Sequence, residues 1–227
     1  PPEYSDNPSG YVNLICEEMI PAVAEEKLAE YCDVFCEEGY FSVDDSRKIL
    51  ETGMKYYLKP RLHADEFVDS DAAELAADLG AVSADHLMAA NDRGIKKMSE
   101  KGVMATILPG TTLFLGKGNY ADGRKMIDLG CEVALATDFN PGSCTIQSMP
   151  LIISLANLYC GLNIEEAFKG ATWNGAKALG LELNTGAVHE GYLADLLFWD
   201  IKSINEIPYW MGPDRILNVM KRGKLLE

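Results

Sequence analysis

The sequence is short of basic residues and of histidine. Only 20 lysines and arginines stand against 35 aspartates and glutamates, and there are three histidines. The resulting formal charge of -15 argues against nucleic acid and anionic membranes as partners, because both select basic surfaces. The negative net charge does not exclude a small acidic substrate, because a lysine or arginine near the site can outweigh the charge of the whole protein. We therefore predict a small-molecule substrate, with no nucleic acid and no membrane as partners.

Long apolar runs, sorting signals and paired cysteines are also missing. No uninterrupted apolar run reaches the length of a bilayer span, and no segment has the three regions of a signal peptide. The six cysteines include no C-x-x-C pair, which argues against a structural zinc ribbon. A chain of 227 residues can build a core without disulfides, so free thiols in a reducing, cytoplasmic setting are predicted; disulfides are the alternative.

The first residues carry neither a methionine nor a strand. The sequence opens Pro1-Pro2-Glu3-Tyr4, which is typical of the middle of a longer protein. A processed or trimmed terminus is the alternative interpretation. The length allows one large domain or one and a half.

Strand-like and helix-like segments alternate through the first part of the chain. Five strand-like segments begin near residues 31, 58, 82, 103 and 132, and helix-like segments separate them. This alternation predicts parallel βαβ units and an α/β fold. A (β/α)8 barrel and a doubly wound sheet both place ligands at the carboxyl ends of their strands. The lack of a Gly-rich phosphate loop after a strand counts against the dinucleotide-binding version.

The order of small and polar residues in two strands favours a barrel interior that leads to a site at its mouth. Ala134 and Ala136 precede Asp138 on one face of their strand, since side chains alternate along a strand. Alternate small residues in the strand near residue 82 similarly lead to His86. Small residues leading inward to a polar tip are the pattern that a barrel predicts.

The later segments predict helices and a small β region. The strand near residue 103 ends at Pro109-Gly110, and a loop is predicted from there to Gly118. Helices are predicted over 149–160 and 164–179. From Gly186 the pattern changes: residues 186–200 predict two short strands around a turn, and 216–221 another strand. We therefore place a domain boundary between residues 185 and 186.

Ionisable side chains follow three of the predicted strands. His63 and Glu66 follow one strand, His86 another and Asp138 a third, so parallel pairing would bring them to one edge. Imidazole and carboxylate are natural ligands for a divalent metal, which generates hydroxide from bound water near neutral pH. The alternatives are structural: hydrogen-bonded strand ends, a turn stabilised by Asp138, and carboxylates at a helix start. The third histidine, His189, lies in a Glu-Gly turn and is read as a surface residue.

At these positions the sequence resembles the imidazolonepropionases, a family within the amidohydrolase superfamily. A more general superfamily signature is matched by Gly191-Tyr192-Leu193-Ala194-Asp195-Leu196. The family-specific resemblance is carried by Asp33-Val34-Phe35-Cys36-Glu37, His63-Ala64-Asp65-Glu66-Phe67, Ser83-Ala84-Asp85-His86-Leu87, Leu108-Pro109-Gly110-Thr111 and Ala136-Thr137-Asp138-Phe139-Asn140-Pro141-Gly142-Ser143.

The resemblance implies a fold and an activity. The fold is the C-terminal portion of a (β/α)8 TIM-like amidohydrolase barrel, about strands four to eight, over residues 1–185. Residues 186–227 would be the C-terminal part of a small composite β-sandwich domain. The activity is metal-dependent hydrolysis of the ring amide C–N bond of 4-imidazolone-5-propanoate to N-formimidoyl-L-glutamate, a step of histidine degradation. One zinc or iron ion is the implied cofactor, and a homodimer is a further expectation.

The resemblance also implies a role for each matching site residue. His63 would be a metal ligand, and Asp138 a ligand that also handles the proton of the attacking water. Glu66 would contact the imidazolone ring and assist proton transfer, while His86 would polarise the carbonyl or stabilise its developing charge. Binding of the substrate or product is implied for Asn140, Gly142 and Ser143.

One motif of the family is missing. Amidohydrolases of this type carry an H-x-H pair at the end of the first barrel strand, and this sequence has none. With Asp138 at the end of strand eight, the strand near residue 31 is number four, so strands one to three and two metal ligands are implied to lie upstream. An isolated partial barrel would expose unpaired strand edges, so we expect this chain alone to be inactive and to aggregate.

Two other interpretations stay open at this point. The chain could belong to another cyclic amidohydrolase or a deaminase that shares His63, His86 and Asp138 but acts on a different substrate. It could also be a metal-free, amidohydrolase-like interaction module, because the missing H-x-H fits that reading too. Glu66 and Asn140-Pro141-Gly142-Ser143 favour the imidazolone substrate over the first. The ligand residues that lie within this chain are intact, which favours a fragment of an enzyme over the second.

Overall fold

The computed structural model describes residues 1–226, which divide into two compact units. The first unit comprises Pro1–Ala105 and Leu129–Cys131. The second comprises Thr106–Asp128 and the described residues from Glu132 onwards. The domain boundary predicted at residues 185 and 186 stays a prediction.

The first unit alternates helices and strands as the sequence predicts. Its elements are a 3-10 turn at Pro2–Tyr4, α1 (Pro8–Leu14), a π-helical turn (Ile15–Met19), α2 (Ile20–Glu25), β1 (Tyr31–Cys36), α3 (Val43–Lys55), β2 (Lys59–Ala64), α4 (Ala72–Leu79), β3 (Ser83–His86), α5 (Asp92–Lys101) and the first half of β4 (Met104–Ile107). The π-helical turn lies just before Pro21, which has no N–H to donate to the preceding turn. The side chains of Ser42 and Asn91 each accept a backbone N–H at the start of α3 and α5 and so cap these helices.

The strands of the first unit lie in the order β1, β2, β3, β4, and β1, β2 and β3 pair in parallel. Their register places Phe35 of β1 opposite His63 of β2, and His63 opposite Asp85 of β3. The N–H of Met104 donates to the carbonyl of Val82, which joins β4 to the segment before β3. Parallel pairing with helical crossovers confirms the predicted α/β class and brings the carboxyl ends of β1, β2 and β3 to one edge.

The helices of the first unit pack closely because small residues face each other. Leu62, Ala64 and Ala84 are fully buried in the strands, on the face that the helices cover. Helices α4 and α5 approach so closely that a Cβ on Gly94 would lie 2.9 Å from the Cβ of Ala73. Glycine is therefore required at position 94 for this packing, since any side chain there would push the helices apart.

The second unit contains one further helix-flanked strand and a small antiparallel sheet. Its elements are the second half of β4, α6 (Pro109–Phe114), α7 (Gly123–Asp128), β5 (Val133–Leu135), α8 (Met149–Tyr159), α9 (Ile164–Ala171), α10 (Trp173–Ala178), β6 (Leu196–Trp199), α11 (Glu206–Tyr209), β7 (Ile216–Lys221) and β8 (Lys224–Leu225). The sheet runs in the order β6, β7, β8 with antiparallel neighbours. Within this unit, β5 lies beside the end of β4, where the N–H of Ala136 donates to the carbonyl of Ile107.

Three local predictions for the second unit are wrong. The segment after β4 forms α6, whose first residue is Pro109, a position where proline lacks only an N–H that would be unused. The helix predicted over 164–179 divides at Thr172, whose φ and ψ of -122° and -90° are not helical. Residues 186–200 hold one strand, β6, in place of the two predicted, and the Asp195 side chain before it accepts the backbone N–H of Arg222 at 2.7 Å.

Among residues 1–226, no helix combines the length and the apolar character that crossing a bilayer requires. The six cysteines are free thiols, as predicted. Burial raises the pKa of Cys32 and Cys131 to about 11 and that of Cys160 to about 12. These thiols are therefore neutral core residues near pH 7.

Candidate functional site

Three of the predicted site residues lie close together in the first unit. The Nε2 atom of His86 is 3.7 Å from the Oε2 atom of Glu66, and both side chains are buried. The rings of His63 and His86 have centroids 5.3 Å apart, and the His63 side chain is half-buried. The ends of β2 and β3 thus present a buried acid–imidazole pair beside a more accessible imidazole.

The backbone turns sharply where these side chains leave the strands. Asp65, His86 and Leu87 have φ values of 49°, 76° and 61°, which lie in the left-handed region. Such conformations cost on the order of 1–3 kcal/mol each for residues other than glycine. Two hydrogen bonds hold the turn: the N–H of Leu87 donates to the carbonyl of Ala64, and that of Ala89 to the carbonyl of Asp65.

The left-handed turn corrects the strand-parity argument for His86. The alternation from Ala84 assigns both residues to one face, but the φ of His86 ends the strand geometry at that point. Ala84 itself is fully buried. His86 reaches Glu66 because the chain turns, and the side-chain parity of β3 does not place it there.

Asp65 fixes the start of α4, a role that the sequence left as an alternative. Its carboxylate accepts four hydrogen bonds, from the N–H and hydroxyl of Ser70 and from the N–H groups of Ala72 and Ala73. Burial raises the pKa of the Asp65 carboxyl, and the backbone N–H donors offset part of that rise. The Asp65 carboxylate therefore holds the segment between β2 and α4 in place, directly beside Glu66 in the sequence.

Two acidic residues that sequence reasoning did not assign flank His63. The Nδ1 atom of His63 lies 3.0 Å from Asp33 Oδ2, and Asp33 is in the neighbouring strand β1. Asp85 is opposite His63 in β3, and its Oδ1 atom is buried without a hydrogen-bond partner. Burial, together with the charge of Asp33, raises the pKa of Asp85. The alternation of Arg61 with His63 was the available signal for this polar face, but the pairing register was needed to place the carboxylates.

The donor set for a metal is incomplete in the part of the chain that the structure describes. A carboxylate on Nδ1, as Asp33 provides for His63, is the arrangement that orients an imidazole whose Nε2 binds a metal. However, no group of three or more His, Cys, Asp or Glu side chains among residues 1–226 could hold a metal ion. A catalytic metal site typically needs three protein ligands, so these residues do not by themselves fit one.

Asp138 lies at the end of the strand region of the second unit, as predicted, and has an assigned partner. The hydroxyl of Thr111 donates to Asp138 Oδ2 at 2.5 Å, and Thr111 is fully buried at the start of α6. Asp138 has a φ of 53°, so the chain leaves the strand there as it does at His86. Thr111 was part of a motif in the sequence, but its contact with Asp138 was not predicted.

The predicted substrate-binding residues form a compact turn after Asp138. The side-chain oxygen of Asn140 accepts the N–H groups of Gly142 and Ser143, each at 2.8 Å. Its side-chain nitrogen donates to the carbonyl of Asp138 and to the Ser143 hydroxyl. The observed bonds of Asn140 are therefore those of a residue that stabilises a turn, which was the structural alternative for this segment. The structure brings together Asp138, Asn140, Gly142 and Ser143 in this unit.

His189 is on the surface, as predicted. Its side chain contacts neighbours in the same turn: Nδ1 lies 2.8 Å from the carbonyl oxygen of Glu190, and the ring packs on that of Tyr192. These contacts are local packing and give His189 no part in the site.

Comparison with known proteins places the chain among the amidohydrolases. The model of the Amidohydrolase family matches residues 15–226. An imidazolonepropionase of Clostridium tetani is 49% identical over 226 residues, and one of Alkaliphilus oremlandii is 46% identical over 226 residues. Each alignment covers 100% of this chain and 54% of the relative. The chain thus spans about half the length of the curated relatives it matches.

Solved structures with low sequence identity share the fold. A 5-methylcytosine deaminase from Klebsiella pneumoniae has a TM-score of 0.75 and 19% identity, covering 93% of this chain and 59% of that one. A zinc-bound adenosine deaminase from Xanthomonas campestris has a TM-score of 0.67 and 19% identity, covering 82% of this chain and 49% of that one. The resemblance to imidazolonepropionases that the sequence predicts is confirmed. The chain belongs to the amidohydrolase family.

Proposed function

We propose that this chain is the C-terminal portion of an enzyme that hydrolyses the ring amide C–N bond of 4-imidazolone-5-propanoate to N-formimidoyl-L-glutamate. The buried Glu66–His86 pair at 3.7 Å, in a chain 46–49% identical to imidazolonepropionases, is the observation that carries the proposal. Ring-amide hydrolysis needs a proton donor for the leaving nitrogen and stabilisation of the oxyanion. An acid beside an imidazole supplies both kinds of group.

Each residue has a role in this proposal. Glu66 contacts the imidazolone ring and moves a proton to the leaving ring nitrogen. His86 stabilises the negative charge that develops on the carbonyl oxygen. Asp138, held by the Thr111 hydroxyl, accepts a proton from the attacking water. Asn140, Gly142 and Ser143 bind the propionate end, where short polar side chains suit a carboxylate.

A zinc or iron ion is part of the proposal, with His63 and Asp138 as the ligands from this chain. Such an ion supplies hydroxide from bound water near neutral pH. The remaining ligands would come from the part of the relatives' length that this chain does not span. In the same proposal, the parallel strands are about strands four to eight of a (β/α)8 barrel, and residues 186–227 are part of a composite β-sandwich. A homodimer and a cytoplasmic location stay predictions.

A second candidate is another cyclic amidohydrolase or a deaminase, which the fold shared with deaminases favours. A substrate panel on the full-length enzyme separates the two candidates. The proposal predicts rapid ring opening of 4-imidazolone-5-propanoate. For hydantoin, dihydroorotate, cytosine and adenosine, kcat/KM should be at least about 100-fold lower than for 4-imidazolone-5-propanoate. Preference for any other member of the panel would contradict the proposal.

A further inference from the structure

Glu37 is a buried acid outside the set of residues proposed to take part in the reaction. It follows β1 directly and is only 3% exposed. Acidic side chains are seldom buried to this extent unless they are paired or hydrogen-bonded. The contacts that satisfy Glu37 therefore indicate what it does.

The Glu37 carboxylate binds backbone N–H groups of the segment that follows β2. Phe67 N–H donates to Oε2 at 2.9 Å, and Val68 N–H donates to Oε1 at 3.4 Å. Oε1 also accepts the N–H of Glu38 at 3.1 Å. Each oxygen of the carboxylate thus has a backbone donor from the residues just after Glu66.

The Glu37 backbone is itself held in a closed turn. Its N–H donates to the carbonyl of Phe41, and its carbonyl accepts the N–H of Tyr40. A bridge between Cys36 and Phe41 closes the same turn. The Glu37 carboxylate is therefore held in place at the end of β1, and from there it binds the segment that follows β2.

Glu66 lies between two anchored residues. On one side, Asp65 is fixed by its bonds to the start of α4 and by the N–H of Ala89 on its carbonyl. On the other side, Phe67 is fixed by Glu37, and its ring meets that of Phe35 edge-on at 6.4 Å. The position of the Glu66 side chain beside His86 depends on both anchors.

We propose that Glu37 is a positioning residue that holds the segment carrying Glu66 so that the Glu66 carboxyl stays beside His86. This inference rests on the proposed function, because it takes Glu66 as the proton-transfer group. Displacing a reacting group by about 1 Å can lower the rate by about 100-fold. Glu37 therefore controls kcat without touching the substrate.

Glutamine at position 37 is the sharpest substitution. Glu37→Gln keeps the length and shape of the side chain but replaces one acceptor oxygen with an NH2 group, which cannot accept a hydrogen bond. Either Phe67 or Val68 then loses its acceptor. Glu38→Gln is the matched control, since it removes the same charge one residue along from an exposed side chain.

The test uses the full-length enzyme and two measurements, amide hydrogen exchange and steady-state kinetics. For Glu37→Gln we expect amide exchange to be at least about 10-fold faster at whichever of Phe67 and Val68 loses its acceptor. We expect kcat to fall roughly 10- to 100-fold, while KM changes less than about 3-fold. Glu38→Gln should leave both measurements within about 2-fold of the wild type.

A second mutation distinguishes positioning from general destabilisation. In a Glu66→Gln background, Glu37→Gln should lower kcat by no more than about 2-fold, because the carboxyl that it positions is already gone. A full additive loss in the double mutant, or unchanged exchange at Phe67 and Val68, would overturn the proposal. So would a lower thermal midpoint with unchanged kcat.

Two further outcomes are decided by the same readouts. If Glu37→Gln does not fold, Glu37→Asp replaces it: this carboxylate is one methylene shorter and should also speed exchange at both amides and lower kcat. If the wild type does not open 4-imidazolone-5-propanoate, the proposed function fails by that result. Amide exchange at Phe67 and Val68 in Glu37→Gln then tests separately whether Glu37 anchors this segment. Exchange that is unchanged from the wild type at both amides would show that it does not.

Discussion

His86 Nε2 lies 3.7 Å from Glu66 Oε2, although the two residues follow different strands of the sheet. The contact depends on two left-handed backbone turns, at Asp65 and at His86. It also depends on the N–H of Leu87, which donates to the carbonyl of Ala64 and ties the two strand ends together. Because both side chains are buried, each acts on the other in a medium of low polarity.

Replacing Glu66 should remove proton transfer while leaving the fold intact. For Glu66→Gln in the full-length enzyme, we expect kcat to fall roughly 100- to 10,000-fold, the usual range for loss of a general acid or base. Glutamine keeps the shape of the side chain but carries no ionisable proton. Steady-state kinetics measure the effect, and Glu100→Gln, an exposed change on α5, is the control. A loss of less than about 3-fold in Glu66→Gln would refute the role of Glu66.

The hydrogen bond from the Thr111 hydroxyl to the Asp138 carboxylate should contribute to kcat/KM. Thr111→Val keeps the shape of the side chain but removes the donor that lies 2.5 Å from Asp138 Oδ2. A hydrogen bond to a charged group contributes about 1.5–3 kcal/mol, so kcat/KM should fall roughly 10- to 100-fold. Thr106→Val is the matched control, since the buried Thr106 hydroxyl has no hydrogen-bond partner. Equal effects of the two substitutions would contradict the importance of the Thr111–Asp138 bond.

A side chain at position 94 should destabilise the first unit. In Gly94→Ala the new Cβ would lie 2.9 Å from the Cβ of Ala73, so α4 and α5 must separate. Overpacking of this kind costs about 1–3 kcal/mol of the free energy of unfolding. Gly118→Ala is the control, because nothing lies within 4 Å of a Cβ there. Denaturant unfolding measures both, and a loss below about 0.5 kcal/mol for Gly94→Ala would speak against the packing described.

The buried thiols should make the protein less stable at alkaline pH. Burial raises the pKa of Cys160 from its ordinary 9.0 to about 12, while Cys32 and Cys131 rise to about 11. The unfolded state therefore loses these protons first, from about pH 9 upwards, and the free energy of unfolding falls as the pH rises towards 11 to 12. Each thiol contributes a slope of up to about 1.4 kcal/mol per pH unit.

Cys160→Ala isolates the contribution of one thiol. The substitution removes the group with the largest of the three shifts, so the decline in stability between pH 9 and 11 should be shallower than in the wild type. Unfolding measured at fixed temperature across this range gives both slopes, and the comparison of slopes removes the effect of the cavity that alanine leaves. Identical slopes in the two proteins would contradict a role for the Cys160 thiol.

Local signals in the sequence were enough to predict the strands that carry the site. The strand predicted to begin near residue 31 is observed as β1, and Ser42 and Asn91 cap the helices that follow β1 and β3. These features depend on neighbouring residues alone, through hydrophobic patterning and side-chain to backbone bonds. The helix-like segments between the strands predicted parallel crossover connections, and β1, β2 and β3 pair in parallel.

Features that depend on register and on unusual backbone angles could not be predicted. The bond from Asp33 to His63 needs the pairing of β1 with β2, and strand periodicity alone does not fix that register. The left-handed φ of His86 breaks the alternation on which its predicted orientation rested. The four bonds to Asp65 join residues up to eight positions apart across a turn that has no simple motif.

The most direct test of the proposed function is the formation of N-formimidoyl-L-glutamate by the full-length enzyme, measured together with its bound metal. With 4-imidazolone-5-propanoate as substrate, we predict turnover by the wild type with about one zinc or iron ion bound per chain, and loss of turnover in Asp138→Ala. Glu165→Gln, an exposed change on α9, should retain the wild-type rate. A folded, metal-loaded wild type that leaves this substrate intact would contradict the proposed activity, and so would an Asp138→Ala variant as active as the wild type.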